Sequence, residues 1–319
     1  MLNFIFLLGG IALIIYSANW LVDGASAIAK RFGISDLVIG LTIVAFGTSA
    51  PELTVNIFSA LKGSTDIAIG NVLGSNISNI FLILGVSSII FPLNIQTNTK
   101  WKEIPFSLLA IIVLAIMAND KFINGEPSNY ISRIDGLVML SFMAIFIMYT
   151  FEMSRKKNGE SQPEQKTKSL SNTKSIIFIL LGLTGLFFGG KYLVEGAVNI
   201  AKILGMSEKV IGLTIIAIGT SLPELATSIV AASKKKSDIA VGNVVGSNIF
   251  NVFFILGTTA CIKPLSFSPS MNVDIMVAAL ASIMLFMTTI TFAYKQISRN
   301  EGIIFVFIYL IYISYSILI

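Results

Sequence analysis

The chain contains no histidine and a single cysteine, Cys261, among its 319 residues. Without histidine it lacks the side chain that most often shuttles protons near neutral pH and the commonest ligand of zinc and copper. One thiol builds neither a disulfide framework nor a multi-thiolate metal site. Charge is scarce as well: 12% of residues are charged against 55% apolar, with a mean hydropathy of +0.85. An ordinary soluble domain carries about 25% charged residues. This chain therefore needs a bilayer to cover its surface. HExxH and GxSxG are missing, so metalloprotease and serine-hydrolase chemistry lack their residues and no enzymatic activity is expected. The start, MLNFIFLLGGIALIIYSANW, has neither a basic leader nor a small-residue cleavage site and reads as a retained first helix.

What is present in abundance is apolar sequence in runs of roughly 20 residues, the length of a spanning helix. Polar breaks divide it into ten candidate helices, near residues 2–27, 36–60, 67–91, 103–118, 134–153, 174–199, 208–232, 239–261, 273–294 and 301–318. None alternates polar and apolar as barrel strands do. The stretch SRKKNGESQPEQKTKSLSNTK at 154–174 is polar and aperiodic, a linker between a first unit at 1–153 and a second at 175–319. The two units repeat. Residues 35–93 align without a gap onto 207–265 at a constant offset of 172, with 35 of 59 pairs identical. Upstream, LVDGASAIAK at 21–30 faces LVEGAVNIAK at 193–202. A repeat of five spans is odd, so the second copy enters the membrane from the opposite side. The expected fold is an all-α integral membrane protein of ten transmembrane helices in two inverted-topology repeats of five. With the N-terminus outside, fifteen lysines and arginines fall on the inner side and six on the outer, Lys191 lying near a helix. That satisfies the positive-inside rule. Both termini are then expected outside, with the 154–174 linker cytoplasmic, in a multi-pass protein of the cell (inner or plasma) membrane.

Two short stretches carry the chemistry, FGTSAPEL at 46–53 and IGTSLPEL at 218–225. Glu52 and Glu224 are the only acids deep inside the candidate spans, and they are equivalent in the repeat. An ionised carboxylate at bilayer depth costs roughly 2.5–3.5 kcal/mol on insertion scales, so such residues are functional by default. Thr48 and Thr220 precede them by four residues, on the same helix face. Pro51 and Pro223 have no N–H, which frees the carbonyls of Gly47 and Gly219 and opens the turns Ala45–Thr48 and Ala217–Thr220. One such copy alone would pass for a proline kink; two, each with a glutamate, would not. A second motif follows each first: GNVLGSNISN at 70–79 and GNVVGSNIFN at 242–251. Ser75 and Asn79 share a face, as do Ser247 and Asn251. The glycines at 70, 74, 242 and 246 suit close helix packing. Asn71, Asn76, Asn243 and Asn248 read equally as interhelical hydrogen bonds or pocket polars. Together the motifs offer carboxylate, hydroxyl, amide and carbonyl oxygens and no nitrogen or sulfur donors. That set suits Ca²⁺, with six to eight flexible oxygens, or Na⁺. Two carboxylates balance one Ca²⁺ and attract several Na⁺, and competition for shared oxygens couples their movements.

These duplicated GTSxPE and GNxxGSN blocks resemble the alpha repeats of the calcium/cation antiporters, the sodium/calcium exchangers and their bacterial and archaeal relatives, over nearly the whole chain. The alpha motifs fall at 45–79 and 217–251. The resemblance implies exchange of Na⁺ for Ca²⁺ by alternating access, with sites at the midplane where the repeats meet. It places Ca²⁺ on Glu52 and Glu224 with the carbonyls of Thr48 and Thr220. Sodium sites draw on Ala45, Ser49 and Ser75 on the inner side and on Ala217, Ser221 and Ser247 on the outer. Asn79 and Asn251 complete the central site. The potassium-dependent branch carries aspartate where this chain has Asn251, so K⁺-independent exchange is expected. The proton-coupled branch usually has glutamate where this chain has Gly74 and Gly246. Ca²⁺/H⁺ antiport through the same glutamates is the alternative, and a cation channel a remote one.

Asp23 and Glu195, near expected helix ends, read as snorkelling or capping residues. Asp66 and Asp238 read as helix N-terminal acids. Larger relatives regulate transport through calcium-binding domains inserted in the central loop; the linker here is too short for one. The expected partners are Ca²⁺, Na⁺ and the lipid bilayer, with no cofactor, nucleic acid or protein partner implied.

Overall fold

In lipid every backbone N–H and C=O must find its partner within the protein, and a helix supplies those partners from its own segment. The computed structural model describes residues 2–123, 125–155, 170–203, 217–291 and 296–318, and it is all-α apart from two-residue strand pairs. Its helices are α1 (Leu2–Phe32), α2 (Asp36–Thr48), α3 (Ala50–Leu61), α4 (Thr65–Ile90), α5 (Ile104–Met117), α6 (Arg133–Arg155), α7 (Asn172–Ile203), α8 (Ala217–Thr220), α9 (Leu222–Ser233), α10 (Ser237–Ile262), α11 (Asn272–Thr291) and α12 (Arg299–Leu318). Among the described residues seven helices are long and apolar enough to cross a membrane, and α2 with α3 forms an eighth candidate bent by 43°. The expected helices coincide with these to within a few residues. The parts expected at 208–216 and 292–294, and most of the linker (156–169), lie outside the described residues.

Burial sorts the helices into a centre and a periphery. The apolar window of α10 is 94% buried and that of α4 72%, whereas those of α1, α6, α7 and α12 are at most 33% buried. The two helices that carry the GNxxGSN motifs are thus the core, and the outer helices turn Leu, Ile, Phe and Met toward lipid. Small residues set the close approaches. Side chains at Gly242 and Gly246 would collide with α2: a Cβ on Gly246 would sit 2.8 Å from the Ala45 Cβ and 2.8 Å from the Leu41 carbonyl. Gly10 meets Gly189 and Leu193 while Gly24 meets Ser175, which makes α1 and α7 an antiparallel pair.

Loops from the two units interlock at each end. At one end β1 (Leu93–Asn94) pairs with β4 (Gln296–Ile297), Lys236 Nζ lies 2.9 Å from Asp36 Oδ2, and Gln96 donates to Asp238 Oδ2 at 2.6 Å. At the opposite end β2 (Tyr130–Ile131) pairs with β3 (Leu265–Ser266), and Asn119 and Asn272 exchange amide hydrogen bonds of 2.9 Å. Asp66 and Asp238 stand in the first turns of α4 and α10, as expected of N-terminal acids. Asp23 differs from expectation. It lies inside α1, and its Oδ1 is 2.6 Å from Lys234 Nζ, so it is an ion-pair residue rather than a cap.

Gly136 of α6 packs so tightly on α10 that a Cβ there would lie 2.6 Å from the Gly257 carbonyl and 2.9 Å from Cys261 Sγ. Because a carbonyl cannot rotate away, Gly136→Ala should destabilise the protein by about 1–3 kcal/mol. The measurement is the loss of monodisperse protein on heating in detergent, which should occur at lower temperature than in wild type.

Candidate cation site

Both GTSxPE stretches break the helix at the same residue and in the same way. Ser49, between α2 and α3, has φ −84° and ψ 7°; Ser221, between α8 and α9, has φ −86° and ψ 4°. Pro51 and Pro223 fall in the first turns that follow, where a missing N–H costs nothing. Glu52 and Glu224 therefore occupy the first turns of α3 and α9, where free N–H groups and the helix dipole favour a negative charge. Wide π-helical turns adjoin the site at Gly40–Val44, Asn79–Leu84 and Phe250–Leu256, a distortion that recurs at functional sites.

The two glutamates are each 1% exposed. Among the described residues no lysine or arginine is paired with either. Ser49 Oγ donates to Glu224 Oε1 at 2.9 Å and lies 3.1 Å from Ser247 Oγ, with the Thr48 and Ser247 hydroxyls also facing Glu224. Across the pseudo-twofold, Ser221 Oγ lies 3.2 Å from Ser75 Oγ. Four asparagines clasp α4 to α10. Asn76 Nδ2 donates to the Asn248 carbonyl at 3.2 Å and Asn248 Nδ2 to the Asn76 carbonyl at 3.4 Å. Asn79 Nδ2 donates to Asn248 Oδ1, and Asn251 Nδ2 to Asn76 Oδ1, both at 2.9 Å. The clasp uses the N–H groups of Asn79 and Asn251 and leaves their oxygens over. Glu52 Oε2, Glu224 Oε2, Asn79 Oδ1 and Asn251 Oδ1 are all buried without a hydrogen-bond partner.

All four of those atoms are acceptors, so what they lack is positive charge or donors. A cation would supply the missing charge to all four, whereas a proton on either glutamate would make that carboxyl a donor to one neighbouring acceptor. No cluster of three acidic, histidine or cysteine ligands occurs among the described residues. Any cation held here rests on two carboxylates and neutral oxygens, the donor set of hard ions.

The structure thus brings Thr48, Ser49, Glu52, Ser75, Asn79, Thr220, Ser221, Glu224, Ser247 and Asn251 to one crossing of α2, α3, α4, α8, α9 and α10. The Ala45 carbonyl accepts from Ser49 N at 3.1 Å and from Thr48 Oγ1 at 3.3 Å. Proline at position 51 frees the carbonyl of Gly47, not that of Ala45. Ala217 opens α8, and its side chain lies outside the described residues.

Sequence reasoning left the roles of Asn71 and Asn243 open. Asn243 Oδ1 accepts from Thr48 Oγ1 at 3.1 Å, and its Nδ2 donates to Ser228 Oγ at 3.0 Å and to the Glu224 carbonyl at 3.3 Å. It braces both glutamate-bearing turns. Asn71 accepts from Thr220 Oγ1 at 3.3 Å, but its Nδ2 has no partner. Asn56 stands where the second unit has Ser228, donates to the Glu52 carbonyl at 2.9 Å, and has an unpartnered Oδ1. The available signal was a polar residue at both 56 and 228, one turn beyond each glutamate on the same helix face.

The fold and this site are those of a multi-pass membrane protein with a buried cluster of oxygen atoms suited to cations. The family model for sodium/calcium exchanger proteins matches residues 2–152 and 174–318. The chain belongs to that family. It is 36% identical over 309 residues to an uncharacterized membrane protein of Methanocaldococcus jannaschii, covering 96% of this chain and 95% of that one. It is 30% identical over 345 residues to the sodium/calcium exchanger MaX1 of Methanosarcina acetivorans, covering 98% and 97%. A solved structure of the sodium-calcium exchanger NCX_Mj, soaked with Na⁺ and Ca²⁺, superposes with a TM-score of 0.83 at 34% identity, covering 98% of each chain.

Ser49 is the only hydroxyl bonded to both a glutamate and a serine across the halves among the described residues. Ser49→Ala should weaken Ca²⁺ binding about tenfold, the equivalent of about 1.4 kcal/mol. Titration calorimetry on detergent-purified protein reads this directly.

Proposed function

We propose that this chain exchanges Na⁺ for Ca²⁺ across the cell membrane by alternating access. One observation carries the proposal: two buried carboxylates without a basic partner, beside amide oxygens that have no donor. In this reading Glu52 and Glu224 hold Ca²⁺ with the carbonyls of Thr48 and Thr220. Sodium ions use the same glutamates with Ser49 and Ser75 in one half and Ser221 and Ser247 in the other, with Ala45 and Ala217 contributing backbone. Asn79 and Asn251 supply the central neutral oxygens. Since each ion needs the carboxylates that the other occupies, Na⁺ entry drives Ca²⁺ release.

The wider architecture belongs to the same proposal. Ten spans form two inverted repeats of five, divided into units at 1–153 and 175–319 by the 154–174 linker. The termini are outside and the lysine-rich loops inside. Asparagine at 251 leaves the site with two carboxylates, which favours K⁺-independent exchange.

The test is Ca²⁺ flux into proteoliposomes under an imposed Na⁺ gradient with pH clamped on both sides. Flux should follow the Na⁺ gradient and be indifferent to K⁺. Flux that ignored Na⁺ and tracked a pH gradient would replace the proposal with Ca²⁺/H⁺ antiport, and unitary currents would replace it with a channel. Glu52→Gln and Glu224→Gln should each reduce Na⁺-driven Ca²⁺ flux to background while the protein remains monodisperse. Removing one of two charges from a site for a divalent ion leaves the ion's own desolvation uncompensated. Retained flux in either variant would show that the site lies elsewhere.

A further inference from the structure

The repeat gives each residue of one half a counterpart 172 positions along, and the structure does not treat counterparts alike. Asp23 of α1 and Lys234, which caps α9, form an ion pair at 2.6 Å, and Lys234 Nζ also donates to the Asn19 carbonyl at 3.3 Å. Their counterparts are Glu195 of α7 and Lys62, which caps α3. Both are exposed, and no ion pair joins them among the described residues.

The sequence marks this second pair as meaningful. The loops LKGSTD at 61–66 and SKKKSD at 233–238 have diverged, keeping in common only Lys62 with Lys234 and Asp66 with Asp238. Asp23 and Glu195 likewise keep the acid, amid LVDGASAIAK and LVEGAVNIAK. Both members of the pair have kept their charge in both halves, yet only one pair is formed. The core shows the same imbalance: Asn243 Nδ2 bonds Ser228 at 3.0 Å, while the equivalent Asn71 Nδ2 and Asn56 Oδ1 are buried and unsatisfied. Here too the bond missing from the first half is one that the second half makes.

In an inverted repeat the two access states interchange the conformations of the halves. We propose that Lys62 and Glu195 form the ion pair that fastens α7 to the α3 end in the opposite access state, as Lys234 and Asp23 fasten α1 to the α9 end in this one. The proposal rests on the alternating-access reading. The two pairs are mutually exclusive latches at opposite ends of the molecule, and Asn71 with Asn56 closes in step with the second. A partly exposed ion pair contributes little to stability. It matters for a carrier because two states of similar free energy are redistributed by small differences.

The test uses cysteine pairs in a Cys261→Ser background, Lys62→Cys with Glu195→Cys and separately Asp23→Cys with Lys234→Cys, treated with a short bifunctional thiol reagent in Na⁺, in Ca²⁺ or in choline. Each pair should cross-link, the yields should change in opposite directions between ions, and either cross-link should stop transport. Adding Lys234→Glu to the Lys62→Cys/Glu195→Cys protein should raise its cross-linking about threefold, the effect of releasing a weak pair. Where cysteine pairs fail to fold, Lys62→Glu should slow exchange about threefold without lowering the melting temperature, and Lys62→Glu with Glu195→Lys should restore it. The proposal is overturned if Lys62→Cys/Glu195→Cys never cross-links while transport proceeds, or if the charge swap fails to rescue. Cross-linking reads the conformational exchange without reference to Na⁺ coupling. Absent Na⁺-driven flux with opposed cross-linking therefore rejects the assignment of ions and leaves the latches standing.

Discussion

Two buried carboxylates, Glu52 and Glu224, with no basic residue paired to either among the described residues, set the terms for the rest of this protein. Their mutual repulsion and desolvation are costs that a purely structural element would have removed by substitution to glutamine. The structure keeps both and surrounds them with hydroxyl and amide oxygens, which soften the cost without cancelling it. What remains is a cluster of oxygen atoms short of positive charge, a donor set that suits hard cations. A lysine placed there would have stabilised the fold and ended its usefulness.

The scaffold serves that pair by fixing everything around it. Broken helices aim two N-termini at the carboxylates, and the break is built from Ser-x-Pro in each half. The asparagine clasp between α4 and α10 commits four amide N–H groups to the protein, so the oxygens of Asn79 and Asn251 are left for something else. Glycine at 242 and 246 lets α2 approach α10 closely enough for Thr48 to reach Asn243 and for Ser49 to reach Ser247. Specific packing here does the work that solvent does elsewhere: it decides which polar atoms are satisfied and which are not.

Much of this was legible in the sequence because the bilayer makes polar residues conspicuous. Glu52 and Glu224 stand out at once, and duplication separates their motif from a chance proline kink. The approximate positions of the helices among the described residues and the meeting of Thr48, Ser49, Ser75 and their counterparts follow from hydropathy and the repeat. The π-helical turns at Asn79–Leu84 and Phe250–Leu256 carry no such mark, since the same residues would serve an ordinary helix. Asp23 was misjudged because its partner Lys234 is 211 residues away, beyond the reach of local pattern.

A symmetric sequence folded into an asymmetric arrangement is informative about mechanism in a way that either half alone is not. Among the described residues Ser49 bonds Glu224, whereas no bond from Ser221 to Glu52 is seen; Asn243 is fully used and Asn71 half used; and Asp23 is paired with Lys234 while no ion pair joins their counterparts Glu195 and Lys62. Asn56 and Ser228, and Asp23 and Glu195, have diverged, yet Ser49 and Ser221, Asn71 and Asn243, and Lys62 and Lys234 are identical, so sequence alone does not fix all of these differences. The simplest physical account is that the bonds missing from one half are available to it, and that making them requires unmaking their partners. A pore through such a molecule would need both ends loose at once. Two sets of contacts that could not be made together would instead open one end at a time, which the proposed carrier requires and a channel does not.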